Sequence, residues 1–323
     1  YSEARGNRVF GHLSQNGVGI DASGGAAIDN EVFGNHDGIV SRGAGLIQGN
    51  RVYGNEAHGI KADAYNSPAS AVIRENFVYG NSTGIWVARD YYTGRNTSQV
   101  LNNVVYANRD RGIYLGAGVD GVPVTNNTVY QPVGDAIRIE AGAQEILLTN
   151  NLLWVGTGYA ITVAADSQQG FQSDYNGFYN LGGPQAFIGR WGNADRGALA
   201  DWRTVTGGDA HAFFGDPLFL DPDGADNVLG QQNRPEGDGR DDNFSLRKLS
   251  PAIDAANAYV SPRDPATGLP VDVEGQPRQD DPSIADRGIG WDFFSESDLG
   301  SSLFSAAGSA RNYRTTDSFT QWD

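Results

Sequence analysis

An asparagine followed three residues later by an aromatic recurs from the start of this chain: Asn7/Phe10, Asn30/Phe33, Asn50/Tyr53, Asn76/Tyr79, Asn103/Tyr106, Asn127/Tyr130 and Asn151/Trp154. Successive anchors are 23, 20, 26, 27, 24 and 24 residues apart. A second signature follows each one: Gly19-Ile20, Gly38-Ile39, Gly59-Ile60, Gly84-Ile85, Gly112-Ile113, Ala136-Ile137 and Ala160-Ile161. Two places after the anchors stand Val9, Val32, Val52, Val78, Val105, Val129 and Leu153. This is the period-2 alternation of a strand with one buried face, and helical periodicity is absent. A module of two or three short strands cannot bury its apolar face alone, but stacked copies share one continuous core. The chain is therefore expected to be all-β, a parallel β-helix, with like residues laddered at the interstrand spacing of about 4.8 Å. Stacked rings hide their faces and stacked amides satisfy one another, so both ladders read as structural. Asn81, Asn96 and Asn126 begin glycosylation sequons, which an asparagine-rich repeat generates freely.

Composition limits what such a solenoid can do. A formal charge of −16 and a pI near 4.5 argue against nucleic acid, because phosphate binding needs a basic stripe. An anionic substrate would need a local positive island in this negative field. Cysteine is absent, which excludes disulfides and thiolate metal sites. No apolar run approaches the roughly 20 residues of a membrane span. Methionine is missing even at position 1, so a processed chain is expected, secreted or at the cell surface, with flanking domains of a longer protein.

The repeat occupies residues 1–180 and weakens after Asn176 and Tyr179. Residues 181–295 are expected to supply the final coils and a loop-rich C-terminal cap over the last coil's edge. Residues 296–323 read as a tail, linker or returning strand. Within the cap run Leu199-Ala-Asp-Trp-Arg203, Asp209-Ala-His-Ala-Phe-Phe-Gly-Asp-Pro-Leu-Phe-Leu-Asp-Pro222, Phe244-Ser-Leu246 and Leu249-Ser-Pro-Ala-Ile-Asp254. With the asparagine repeats, these resemble secreted bacterial right-handed parallel β-helix repeat proteins over most of residues 1–295. The resemblance implies the right-handed fold. It is weak for activity, since such proteins include pectate-lyase-like and epimerase-like enzymes and others with no known role. Their ending usually reads Asp-Ile-Gly-Ala-Tyr-Glu, whereas Asp286-Arg-Gly-Ile-Gly-Trp-Asp292 stands here.

Outward side chains of consecutive coils line up, so the positions after each Gly-Ile pair are where function would be displayed. They are Asp21, Val40, Lys61, Trp86, Tyr114, Arg138 and Thr162; two places on come Ser23, Arg42, Asp63, Ala88, Gly116, Glu140 and Ala164. The middle coils are chemically richest and carry the longest turns, 64–70 and 89–96. An aromatic platform of Trp86, Tyr91, Tyr92 and Tyr114 among Lys61, Arg89, Arg95, Arg138 and Glu140 suits an extracellular acidic, uronic-acid polysaccharide. A lyase or C5-epimerase would need a base and a group neutralising the developing enolate, for which Lys61, Arg89, Arg138 and His58 are the candidates. His12, His36 and His211 lack such a cluster. Asp63 with Asp90, or the acidic loops around Asp221, Asp223, Asp226, Asp238, Asp241 and Asp242, could take calcium. No alginate-epimerase or polygalacturonase motif is present, and a non-catalytic stalk or adhesin module is the competing reading.

Overall fold

A computed structural model describes residues 2–64, 68–89, 95–181, 186–230, 239–261, 263, 266, 268 and 271–273. Each coil carries three short strands, one per sheet. The first sheet contains eight strands, from Glu3–Arg5 to Gln172–Asp174. The second contains nine, from Arg8–Phe10 to Phe213–Phe214. The third also contains nine, from Val18–Asp21 to Ala194–Arg196. The pairings between successive coils are parallel and in register; among the described residues Ala194–Arg196 returns antiparallel on the third sheet, and Phe219–Asp221 pairs antiparallel with Asn243–Leu246 in a separate two-stranded sheet. Three aliphatic rows fill the interior. The isoleucines and valines of the two signatures supply two of them, and Ala27, Ile47, Ile73, Val100, Val124 and Leu148 supply the third, nearly all fully buried. That third row stands three places before each anchor.

The anchor asparagines form one continuous chain of hydrogen bonds. From Asn7 to Asn151, each backbone N–H and each Nδ2 donates to the Oδ1 of the next coil's asparagine, ending on Asn176. The residue before each anchor takes the left-handed conformation, as at Glu75, Asn102, Asn126 and Asn150, which turns the chain sharply from the first sheet to the second. A second ladder passes through Asn35, Asn55, Asn81 and Asn108 to Gln131. The sequon asparagines Asn81, Asn96 and Asn126 are all fully buried. Asn81 and Asn96 donate their amide hydrogens to backbone carbonyls, and the Asn126 amide is bonded to Asn150.

The end of the solenoid is closed by a helix, α1, Leu199–Thr206. Its Trp202 is fully buried against Gly189 and packs edge-on with Phe171 and Trp191. Asp209 finishes the first ladder: its carboxylate accepts from Asn176 Nδ2, Ser173 Oγ and Trp202 Nε1. Burial raises the Asp209 carboxyl above the usual range, against these three donors.

The cap then extends beyond the end it was expected to cover. Residues 219–230 and 239–256 lie as a strap along the outer side of the second sheet. Phe219 and Phe244 lie against Trp154, Tyr106 and Tyr130, and Ala252, Ile253 and Ala256 join the same cluster. The aromatic ladder is thus an outward-facing stack buried by the strap. Phe33, Tyr53, Tyr79 and Tyr106 follow one another with centroids 4.7–5.1 Å apart. Among the described residues no helix is long and apolar enough to cross a membrane. The 296–323 tail and the 286–292 ending lie outside the described residues.

Candidate functional site

The third sheet carries the row after each Gly-Ile pair in register: Asp21, Val40, Lys61, Trp86, Tyr114, Arg138 and Thr162 are consecutive partners, and Arg190 continues it by one rung. Trp86 and Tyr114 lie nearly parallel, centroids 6.1 Å apart. Lys61 Nζ sits 4.9 Å from the Trp86 ring centroid, and the Arg111 guanidinium 5.1 Å from that of Tyr114. Tyr114 leans across Gly116, where a Cβ would come 2.7 Å from its hydroxyl. There it lies near Glu140 of the following coil; burial, then the Glu140 charge, raises the phenol above its ordinary value.

A second outward row, two places before each isoleucine, contains Asp37, His58, Thr83, Arg111 and Asp135. Only His58 of these was singled out from the sequence, although a polar residue recurs at this offset. The glycine between the two positions makes them share a face. At Gly38, Gly59 and Gly84 a Cβ would strike the next coil's glycine carbonyl, a valine and a ladder asparagine, so glycine and isoleucine both face inward. His58 Nδ1 is 2.7 Å from Asp37 Oδ1, and its ring centroid lies 5.7 Å from that of Trp86. Burial alone would raise the Asp37 carboxyl. The hydrogen bond from His58 and the charges of His58 and Lys61 outweigh it and hold the group below its ordinary value. His58 Nε2 has no hydrogen-bond partner among the described residues.

The row two places after the first is only partly open. Asp63 and Ala88 are buried, and Lys61 Nζ lies 3.8 Å from Asp63 Oδ2. No group of three or more His, Cys, Asp or Glu that could hold a metal ion gathers among the described residues. Asp90, Tyr91 and Tyr92 lie outside the described residues, as does Asp238. Arg89 is exposed, with its backbone N–H on the Ala117 carbonyl. Arg95 is drawn to Asp120, 2.8 Å away, on the corner leading to the first sheet. Among the described residues no contact joins either to the Trp86–Tyr114 pair.

Charge on the face departs from a positive island. Arg138 Nε is 2.8 Å from Asp135 Oδ2, and Arg111 Nε is 2.7 Å from Asp110 Oδ2. Lys61, Arg111 and Arg138 thus stand among Asp37, Asp63, Asp110, Asp135 and Glu140, and each has a carboxylate neighbour. Arg138 uses only its Nε toward Asp135, so the paired edge of its guanidinium remains for an incoming carboxylate. Of the other histidines, His36 pairs with Glu56 and His211 with Asp174, so a carboxylate partner alone does not distinguish His58. Its place beside Trp86 and Lys61 does.

Residues 16–180, just over half of the chain, match the family model described as right handed beta helix region. No curated protein matches the sequence.

Proposed function

The chain belongs to the right-handed β-helix family, and on that premise we propose that the outer face of its third sheet binds an extracellular polysaccharide laid along the solenoid axis. The observation that carries this reading is the in-register pair Trp86–Tyr114, with both rings partly exposed and capped by Lys61 and Arg111. Rings presented at successive rungs match a ligand that repeats along one direction, and their flanking groups supply hydrogen bonds to hydroxyls. An acidic chain is the class favoured at the Arg138 end, where one guanidinium edge is open to a uronate carboxylate.

Trp86→Ala is expected to weaken binding about tenfold or more, the scale of losing one buried aromatic anchor. Gly116→Val, which pushes Tyr114 from its seat, should act in the same direction. Titration calorimetry against a panel of neutral and uronic-acid polysaccharides checks both. Binding by neutral chains alone would remove the acidic reading, and no heat across the panel would remove the polysaccharide reading.

One observation favours catalysis on this face: Asp37 holds His58 by Nδ1, leaving Nε2 for a substrate, with the Lys61 ammonium nearby. In a uronate chain, His58 would take the proton next to the carboxylate and Lys61 or Arg138 would offset the enolate charge. Lys61, paired with Asp63, suits the neutralising role better than that of base. Ultraviolet absorbance rising with wild type and absent in His58→Ala and Arg138→Ala would establish a lyase. A flat trace with binding retained, and with no epimerised product by NMR, would leave a non-catalytic binding module.

A further inference from the structure

The strap over the second sheet rests on one awkward group. Tyr79 and Tyr106 point outward yet are fully buried, because the strap lies on them. Gly239 makes the closest approach: its carbonyl accepts from the Tyr106 hydroxyl at 3.2 Å and from Arg51 Nη1 at 3.0 Å. A Cβ there would come 2.9 Å from Tyr79 Cε2, from the Tyr106 hydroxyl and from Asp242 Oδ2. Arg240 pairs with Glu31, and Phe244 tilts onto Tyr106 with centroids 4.7 Å apart. Between these contacts sits Asp242, 4% exposed. Its Oδ2 accepts the Gly230 N–H at 2.7 Å, while Oδ1 has no hydrogen-bond partner. A buried carboxylate with one bare oxygen is costly ionised and acceptable protonated.

We propose that the strap is a pH-gated cover, held shut over the aromatic ladder while Asp242 is protonated and loosened when Asp242 ionises, so that Tyr79, Tyr106 and Phe244 become accessible. Facing Asp242 among the described residues are Asp241 beside it, Arg51 and the Tyr106 hydroxyl from the second sheet, and the Gly230 N–H from the strap itself; the Tyr79 hydroxyl stands next to Tyr106 and Arg51. Burial, joined by the Asp241 charge, prevails over the Gly230 N–H, Tyr106 and Arg51, and pushes the carboxyl up to about 7. A carboxyl raised in the closed state binds its proton more tightly there than in the open one. Closure is therefore firmest below the ordinary carboxylate range and weakens as pH rises toward about 7, beyond which it levels off.

Hydrogen exchange of the full chain, with protection corrected for the intrinsic pH dependence, tests this at residues 239–247. The opening constant is expected to rise by up to about tenfold per pH unit between about pH 4 and 7 in wild type. Asp242→Asn, which keeps the shape and the acceptor for Gly230, should abolish that slope. Asp241→Asn, which removes the like charge, should move the upper limit of the window to lower pH. The solenoid strands at 104–106 and 128–131 should show no such slope in any form. A strap whose protection is independent of pH in wild type, or whose slope survives in Asp242→Asn, would overturn the proposal.

Discussion

Replacing Asn76 with alanine is expected to cost about 4 kcal/mol, well above an ordinary hydrogen-bond deletion. Asn76 is fully buried at mid-ladder. Its Oδ1 accepts from Asn50 N and Asn50 Nδ2, both at 2.9 Å. Its Nδ2 donates to the Ile47 carbonyl at 2.9 Å, the Arg74 carbonyl at 2.8 Å and Asn103 Oδ1 at 2.9 Å. Alanine removes all of these and opens no path for water, so the Asn50 N–H is orphaned, at about 1–3 kcal/mol, while the Ile47 and Arg74 carbonyls, the latter still accepting from the Gly49 N–H, the Asn50 amide and Asn103 Oδ1 each lose one bond of about 1 kcal/mol. Asn7→Ala, at the exposed first rung, lets water replace the lost partners and should cost about 1 kcal/mol or less. Urea unfolding midpoints of the two variants make the comparison. Similar small losses in both would mean that the ladder follows the fold without stabilising it. Asn76→Asp adds a sharper case, since it turns a second acceptor toward the Ile47 and Arg74 carbonyls and should be no milder than alanine.

The ladder was legible in the sequence because a β-helix stacks like on like: the anchor, the inward valine and the inward isoleucine recur at fixed offsets whatever the coil length. The position of the third strand in each coil carries no comparable signature, for a physical reason. Its one inward residue, as at Ala27, Ile73 and Leu148, only has to be aliphatic, and the two flanking positions face outward and vary freely. The second asparagine ladder was there to be read, two places after each aromatic at Asn35, Asn55, Asn81 and Asn108. It was masked by resemblance to a sequon at Asn81 and by the change to Gln131.

For the site, the row Lys61, Trp86, Tyr114 and Arg138 followed from the isoleucine register, and the coils place it as expected. Its electrostatics did not follow. Whether Arg138 is a free cation depends on Asp135 three residues earlier, reached because the intervening Ala136 and Ile137 both face inward. The partner of His58 lies 21 residues away on the preceding coil, and variable coil lengths conceal that adjacency until the strands are paired. The strap was hardest of all. Its glycine- and aspartate-rich sequence reads as loop, and its contacts join residues as far apart as Glu31 and Arg240. What makes it a cover is the shape of glycine at Gly239 against Tyr79 and Tyr106, a fit that residue type alone does not announce.

Gly84→Ala is expected to destabilise by about 3 kcal/mol, although the backbone there has no left-handed strain. The added methyl would lie 2.6 Å from the Gly112 carbonyl, 2.7 Å from Val105 Cγ1 and 2.8 Å from Asn108 Nδ2. The first two belong to the close-packed core, and the third is a ladder amide engaged with the Val78 and Tyr106 carbonyls. None can yield without breaking something else. The chain itself shows when alanine is permitted: Ala136 and Ala160 replace the glycine in the two later coils. Two places after the aromatics of the coils that follow them stand Gly156 and Leu181 rather than asparagine. Small residue and ladder amide are therefore linked across neighbouring coils, and thermal or urea unfolding of a double-mutant cycle exposes the link. Gly84→Ala should cost at least about 1 kcal/mol less in an Asn108→Gly background than in wild type. Strict additivity would show that the carbonyl and valine contacts alone enforce glycine, and that the amide only fills the space left over.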